Sequence, residues 1–212
     1  MRMFKRLAVA GVVTGALLGS VAGVASASTS TARPACSTVR LTGGDTSLTT
    51  APGIAAALLS HGIVPLATLP ATEGASTSSG GVAVKFAFPV TGGSVNLRQL
   101  TGMIDHSGGI LFIAPATGKQ ISVSGFVINL KAGELTAIVN GNAKERVPLL
   151  SLSLASAKTA AGKHAVQISG IVARLTKTAA SALDATFGTT LFTSGLELGT
   201  ASAVVKFQAT SA

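Results

Sequence analysis

Tryptophan and tyrosine do not occur in this sequence of 212 residues, and phenylalanine, at eight positions, is its only aromatic residue. Proteins that bind single-stranded nucleic acid stack bases on aromatic side chains within a basic groove. Sugar-binding sites commonly present an indole or a phenol ring to the apolar face of the sugar. The missing side chains therefore argue against a nucleic-acid-binding protein and against a carbohydrate-binding module.

Cysteine is equally scarce, because Cys36 is the only one in the sequence. One cysteine cannot form an internal disulfide, so the fold must hold without one. Attachment of a lipid to an exported cysteine requires small apolar residues directly before it, whereas Arg33-Pro34-Ala35 precede Cys36. A lipid anchor is therefore not expected, and both an intermolecular disulfide and a free thiol stay open for Cys36.

Acidic residues number only seven, and each stands alone in the sequence. This spacing offers no calcium loop, and the three histidines show no zinc-ligand spacing, so no metal site is predicted. Asp105-His106-Ser107 places acid, imidazole and hydroxyl side by side, but neighbours along a strand point apart and do not form a hydrolytic triad. We interpret it as a turn before Gly108-Gly109, and Gly43-Gly44-Asp45 as a turn after the first strand. No catalytic residue is predicted, and the protein is not expected to be an enzyme.

The N-terminal segment is typical of a secretory signal peptide. Three basic residues within the first six precede an apolar stretch, Leu7 to Val24, and Ala25-Ser26-Ala27 then fits the cleavage pattern. Glycines dilute the apolar stretch, which makes a transmembrane anchor the weaker interpretation, since a span needs about 20 strongly apolar residues. We expect a signal peptide at residues 1–27, a flexible leader at 28–36 and no transmembrane helix after cleavage. The predicted location is secreted or loosely associated with the cell envelope.

Basic residues outnumber acidic ones, 16 against 7, which gives a formal net charge of +9. An excess of this kind attracts anionic partners. The lysines and arginines after residue 27 are scattered, however, with no cluster denser than Lys144 and Arg146. An envelope protein or an anionic envelope polymer is the expected partner, and nucleic acid is not.

Short segments in which apolar and polar residues alternate recur along the chain, separated by Gly, Ser, Thr and Asn. Alternation at period two and many β-branched residues indicate half-buried antiparallel strands. Gly125 and Gly170 interrupt two of them and shift the phase of the alternation, which predicts a β-bulge or a tight bend at each. The predicted strands are Ser37–Leu41, Val82–Phe88, Val95–Ile104, Gly109–Ala114, Ile121–Leu130, Glu134–Val139, Leu149–Leu154, Ala165–Leu175, Thr189–Phe192 and Ala201–Ala209.

Two segments, Ala51 to His61 and Thr178 to Phe187, predict helices, and each is followed by a glycine that suits a helix C-terminus. Residues 71–81 are rich in Ser, Thr and Gly, which predicts a mobile loop. Many short strands with two short helices favour a mainly β fold, an antiparallel β-sandwich or barrel-like domain. We expect a single β domain over residues 37–212, because no linker divides this part of the chain.

Four stretches of the chain resemble a known family. Phe88 to Gly93 and Gly102 to Phe112 come first, and Leu135 to Val139 and Leu175 to Gly188 follow. Their order is similar to that of the HtaA-type haem-binding domain of corynebacterial surface proteins, and it resembles secreted actinobacterial proteins of unassigned function. The resemblance spans roughly residues 40–207 and rests on glycine and turn motifs.

The resemblance implies a candidate ligand as well as a fold. In that family a tyrosine of the first helix ligates the haem iron and a histidine supports it, but this sequence has no tyrosine. His106 matches the supporting histidine, and His61, at the end of the first predicted helix, is a candidate substitute ligand. The candidate ligand-binding residues are therefore His61 and His106, and no cofactor is predicted other than haem.

These observations leave three hypotheses about function. The first is an exported, non-catalytic β-domain of the cell envelope or extracellular space, built on an HtaA-like scaffold. The alternative is a binder of haem or of a small apolar ligand that uses a pocket near His61 and His106. The third is an unrecognised hydrolase.

Overall fold

Twelve β-strands and two α-helices make up residues 38–78 and 81–208, which the computed structural model describes. The predicted signal peptide, the leader and Cys36 lie outside these residues. In chain order the elements are β1 Thr38–Thr50, α1 Ile54–Ser60, β2 Val64–Thr68, β3 Thr72–Ser78, β4 Gly81–Asn96, β5 Thr101–His106, β6 Gly109–Ala114, β7 Lys119–Asn129, β8 Glu134–Val139, β9 Arg146–Ser153, β10 Lys158–Ala161, β11 Ala165–Leu175, α2 Lys177–Phe187 and β12 Glu197–Phe207.

Eight of these strands form a closed antiparallel barrel. Their order is β7-β5-β4-β1-β12-β11-β9-β8, and β8 pairs back onto β7. The remaining strands extend this barrel: β6 pairs with β7, β2 with β6, β3 with β4 and β10 with β11. The expectation of a mainly β, barrel-like fold with two short helices is confirmed. Closure satisfies the backbone groups that an open sheet would leave unpaired at its edges.

Two glycine bulges keep apolar residues inside the barrel. In β7 the register shifts between Ser124 and Val127, around Gly125 at φ 57°; in β11 it shifts between Ile168 and Ile171, around Gly170 at φ 76°. Both glycines adopt left-handed backbone conformations that other residues avoid. The predicted bulges are confirmed, and each restores the inward alternation after the sequence changes phase.

The sheet splits next to the end of β5. The first part of β7 pairs with β6, whereas its last part, Val127 to Asn129, pairs with β5. Gly108 separates β5 from β6 with φ 81°, and a Cβ there would lie 2.5 Å from the backbone nitrogen of Ala71. Only glycine therefore fits this position without movement of the backbone. The split lets β6 leave the barrel and pair with β2, and it places His106 at the branch point.

The core consists of two apolar clusters. The larger one fills part of the barrel between α2 and strands that include β7, β9, β11 and β12. The smaller one, the aromatic cluster, gathers buried side chains where β6 diverges from the barrel. Its members are Ala71, Phe86, Phe88, Ile110, Val123, Phe126 and Ala137. The rings of Phe88 and Phe126 pack edge to face with centroids 4.9 Å apart, a geometry favoured by aromatic pairs.

Both predicted helices form, within shifted bounds. The first begins at Ile54 rather than Ala51, because Gly53 precedes it in a left-handed conformation with φ 83°. The second begins at Lys177, where the hydroxyl of Thr176 accepts a hydrogen bond from the backbone N–H of Ala179 at 3.2 Å. This side-chain cap satisfies a helix N–H that has no partner within the helix. Among the described residues, neither helix is long and apolar enough to cross a membrane.

Two local expectations are wrong. The segment predicted as a mobile loop, residues 71–81, contains strand β3. This strand pairs with β4, beginning with Thr72 opposite Ala87. Its small polar residues form a strand because an edge strand needs backbone pairing on one side and no buried face. The segment Thr189–Phe192 was expected to be a strand but is irregular, because the carboxylate of Asp184 binds it to the end of α2. The backbone N–H of Phe192 donates to Asp184 Oδ1 at 3.1 Å.

Two further segments differ from the sequence prediction. Gly43-Gly44-Asp45 is not a turn but the middle of β1, where a bulge follows Leu41. A Cβ on Gly44 would collide with the carbonyl of Val204, so glycine permits the close approach of β1 and β12. The predicted strand Val95–Ile104 is divided between β4 and β5 by a turn, in which Leu100 has φ 49°.

Candidate functional site

A cavity of about 440 Å³ lies inside the barrel, bounded by α1, α2 and the inward faces of the strands. Its wall is almost entirely aliphatic and aromatic. Several wall residues are only half-buried although they face inward, and Leu48, Leu135 and Leu198 are examples. Their remaining exposure is the surface of the cavity itself. A volume in this range is typical of small-molecule binding sites.

The cavity exists because inward positions carry small side chains. Ala173 on β11 and Ala201 on β12 both line it, as does Ala179 on α2. Protein interiors normally pack at crystal-like density, so an unfilled volume of this size is unusual. The sequence, with its eight Phe and no Trp or Tyr, supplies few side chains large enough to fill it.

The mouth of the cavity lies between the β8–β9 loop and α2. Three exposed polar residues of that loop contribute to the lining, Asn140, Asn142 and Glu145. Asn140 Oδ1 accepts a hydrogen bond from the backbone N–H of Ser122 at 2.9 Å. Thr178 of α2 is the exposed polar residue opposite. The site therefore combines an apolar interior with a polar rim.

His106 is buried at the end of β5, with 6% of its surface exposed. Its Nδ1 lies 3.3 Å from the carbonyl oxygen of Phe126, and its Nε2 lies 2.7 Å from the hydroxyl oxygen of Thr46. A carbonyl only accepts hydrogen bonds, so Nδ1 carries the proton and Nε2 accepts from Thr46. The interpretation of residues 105–107 as a turn is wrong at His106, whose partners hold it as the last residue of a strand.

Burial lowers the pKa of His106 below its ordinary value of 6.5, because desolvation disfavours the imidazolium. The hydrogen bond to the Phe126 carbonyl and the negative charge of Asp105 act in the opposite direction. The net direction is downward, so the ring is held neutral in the fold. Its role as an acceptor for Thr46 is thereby stabilised.

His61 lies elsewhere, exposed directly after α1. Leu59, two residues before it, lines an outer groove of about 390 Å³ between α1, β2, β3 and β4, but His61 itself is not among the lining residues. Neither His61 nor His106 lines the cavity inside the barrel. The structure thus places one candidate residue on the surface and the other within the barrel wall.

The cavity was not found from the sequence. The one available signal was the run of small residues at inward strand positions, such as Ala173 and Ala201, but a sequence pattern does not show what faces them across a barrel. Thr46 was also missed, since it lies in a segment of Thr, Ser and Gly that carries no motif. Among residues 38–78 and 81–208 no group of three or more His, Cys, Asp or Glu side chains comes together to hold a metal ion.

The HtaA family model, described as Htaa, matches residues 67–190, which is more than half of the chain. This chain belongs to the HtaA family. Among solved structures, it resembles the C-terminal domain of HtaA from Corynebacterium glutamicum, with a TM-score of 0.52 and 17% identity over 80% of this chain and 99% of that one. At this identity the match shows a shared fold, and the predicted resemblance is confirmed.

Two other crystal structures from Corynebacterium glutamicum are less similar. One is the haem-binding protein HtaB, at a TM-score of 0.40 and 13% identity, over 81% of this chain and 98% of that one. The other is a domain-swapped dimer of a variant of the HtaA C-terminal domain, at a TM-score of 0.43 and 20% identity, over 66% and 84%. No curated protein sequence matches this HtaA-family chain.

The residues around the cavity do not suit haem. Protein ligands of haem iron are His, Cys, Met or Tyr side chains. None of these residue types occurs among the described residues that line the cavity. His106 stands behind the wall with both ring nitrogens hydrogen bonded. His61 carries an exposed imidazole, but it does not line the outer groove either.

Proposed function

We propose that this HtaA-family protein is an exported, non-catalytic binding domain that holds a small apolar molecule inside its barrel. The cavity of about 440 Å³ carries this proposal, because it is apolar within and polar at its mouth. Binding sites for small molecules usually combine a largely apolar pocket with a few polar groups. An apolar ligand would gain by leaving water and by filling contacts that the wall side chains lack.

Export is the second part of the proposal, and it is supported by the sequence of residues 1–27. A domain released outside the cytoplasmic membrane, or loosely held in the envelope, would meet apolar molecules there. Its excess of basic residues supports additional contact with an envelope protein or an anionic polymer. Recovery of the processed chain in culture medium or in a salt wash of cells would support this location, and retention in the cytoplasm would contradict it.

Fluorescence of Nile red, an uncharged apolar dye, tests the binding site. We expect the dye to brighten and shift to the blue with the wild-type protein. Ala173→Leu places a larger side chain in the cavity and should weaken binding at least about tenfold, since it removes space that the dye needs. Ala201→Val is a milder second variant for the case in which Ala173→Leu does not fold.

Leu59→Ser is the matched control, because Leu59 lines only the outer groove. It should leave dye binding unchanged. Loss of binding in Leu59→Ser, with full binding in folded Ala173→Leu, would move the site to the outer groove and contradict the proposal.

Haem binding is the second candidate, favoured by the family and by the exposed imidazole of His61, two residues after Leu59 of the outer groove. A haem titration followed at the Soret band tests it with wild type, His61→Ala and His106→Ala. A wild-type shift that disappears only in His61→Ala would support haem in the outer groove. No shift in any of the three proteins would exclude haem and leave the cavity as the site.

A further inference from the structure

Thr46 is the only polar side chain buried in the cavity wall among the described residues. The other two buried polar residues of that part of the chain, Asn96 and His106, do not line the cavity. Thr46 lies on β1 between Phe88 of β4 and Ala203 of β12, with 5% of its surface exposed. A single polar group in an apolar wall is the feature by which small-molecule sites fix the orientation of a ligand.

A hydrogen-bond relay fixes the direction of the Thr46 hydroxyl. The Phe126 carbonyl accepts from Nδ1–H of His106, which leaves Nε2 as an acceptor, and the Thr46 hydroxyl must therefore donate to it. The hydroxyl proton is thus already used. Within the described residues no other hydrogen bond reaches the Thr46 oxygen, so its lone pairs stay available as acceptors.

This relay has a chemical consequence for the ligand. A hydroxyl group on the ligand can donate a hydrogen bond to the Thr46 oxygen. An ether or a ketone has no proton to donate, so its oxygen and the Thr46 oxygen would face each other as two acceptors. Hydrogen bonds in a chain polarise one another, so the bond from Thr46 to His106 strengthens the acceptor that Thr46 presents. For the fold alone, apolar side chains of the same shape could replace Thr46 and His106 at little or no cost in stability.

We infer, on the basis of the proposed function, that the cavity selects an apolar molecule bearing a hydroxyl group, a lipophilic alcohol, whose O–H donates to Thr46. Thr46 is the specificity-determining residue in this assignment. His106 is a positioning residue, because it acts by holding the Thr46 proton away from the ligand. The acceptor at Phe126 fixes the His106 tautomer and completes the relay.

Displacement of Nile red by 1-decanol and by decyl methyl ether tests this inference in wild type, Thr46→Val and Thr46→Ser. The ratio of the two affinities is compared between proteins, so the different water solubilities of the two ligands cancel. We expect the preference for the alcohol to fall about fivefold in Thr46→Val, which loses one neutral hydrogen bond. Thr46→Ser keeps the hydroxyl and should keep the wild-type ratio. Leu59→Ser, in the outer groove and away from the cavity lining, is a control that should also keep it.

A second measurement needs no variant at Thr46. In wild type labelled with nitrogen-15, decanol should shift the Nε2 resonance of His106, because a donor on the Thr46 oxygen strengthens the bond that Nε2 accepts. The methyl ether should shift it much less. If Thr46 only stabilised the strands, the two ligands would not differ in their effect on the Nε2 resonance of His106.

The outcomes separate the inference from the proposed function. Equal alcohol-to-ether ratios in wild type and folded Thr46→Val would overturn the inference while leaving an apolar binding site in place. Equal shifts of the His106 resonance by both ligands would do the same. Failure of wild type to bind the dye and both ligands would overturn the proposed function and the inference with it.

Discussion

The aromatic cluster and the cavity region are neighbours in one barrel, yet they use side-chain volume in opposite ways. Around Phe86 and Ala137 the interior is filled, and neither residue lines the cavity. Around Leu135 and Leu198, which line the cavity and are only half-buried, the interior is open. Filled interior contributes stability through contacts, and open interior leaves contacts for a ligand to make. The two regions share a boundary, because four members of the aromatic cluster also line the cavity: Phe88, Ile110, Val123 and Phe126. They differ in packing on either side of that boundary.

Truncation of a large side chain should separate the two regions most clearly. Phe86→Ala should lower the free energy of unfolding by about 3–5 kcal/mol, because it leaves a new void in packed surroundings. Leu198→Ala should cost only about 1–2 kcal/mol, because the half-buried leucine already borders open space. Urea unfolding measures both. Equal losses would mean that the cavity region is as tightly packed as the aromatic cluster.

Enlargement of a buried alanine should destabilise the protein more in the aromatic cluster than at the cavity, whereas dye binding should weaken only for the enlargement at the cavity. Ala137→Val adds two methyl groups within the aromatic cluster and should destabilise the protein by about 1–3 kcal/mol through overpacking. Ala173→Val adds the same volume at a residue that lines the cavity and should lower the free energy of unfolding less than Ala137→Val does. Thermal melting combined with Nile red titration would check this pair. A larger loss of stability in Ala173→Val than in Ala137→Val would contradict the difference in packing between the two regions.

The pH dependence of stability should report on His106, which lies where the two regions meet. Its pKa is lowered in the fold, so as the pH falls through about 6.5 the unfolded chain takes up more protons at this group than the folded protein does. Stability should therefore fall as the pH falls through this range.

A pair of variants isolates that contribution from the rest of the protein. His106→Gln removes the proton uptake and should give a shallower loss of stability over this pH range, measured by urea unfolding. His61→Gln changes an exposed histidine and should follow the wild-type dependence. An identical slope for wild type and His106→Gln would show that protonation of His106 does not govern the acid side of stability.

The sequence predicted those strands that are apolar or β-branched runs between turn residues. The bounds of β6, β8 and β11 agree with the predicted segments for this reason. The bulges at Gly125 and Gly170 were also predicted, since a phase change in the alternation requires one. Strand β3 was missed because its exposed Ser, Thr and Gly residues carry no alternation, and only its pairing with β4 makes it a strand.

The candidate site was less accessible to sequence reasoning. His106 was selected through the family resemblance, but its burial and its bonds to Thr46 and Phe126 depend on residues 60 and 20 positions away. The cavity depends on side chains from many elements, so no local pattern contains it. The family resemblance gave the fold correctly, whereas the tyrosine that ligates iron in that family is missing from this sequence.

Pairing of β1 with β12 has a consequence for how the molecule is made. The hydroxyl of Ser47 bonds to the carbonyl of Ser202, 155 residues further along the chain. Barrel closure therefore brings together segments that are separated by almost the whole described chain, and contacts of such long range slow folding. Until β12 has been synthesised, β1 and β11 both keep an unpaired side, and the cavity has no complete wall. The wall of the cavity is thus completed only when β12 pairs with β1 and β11.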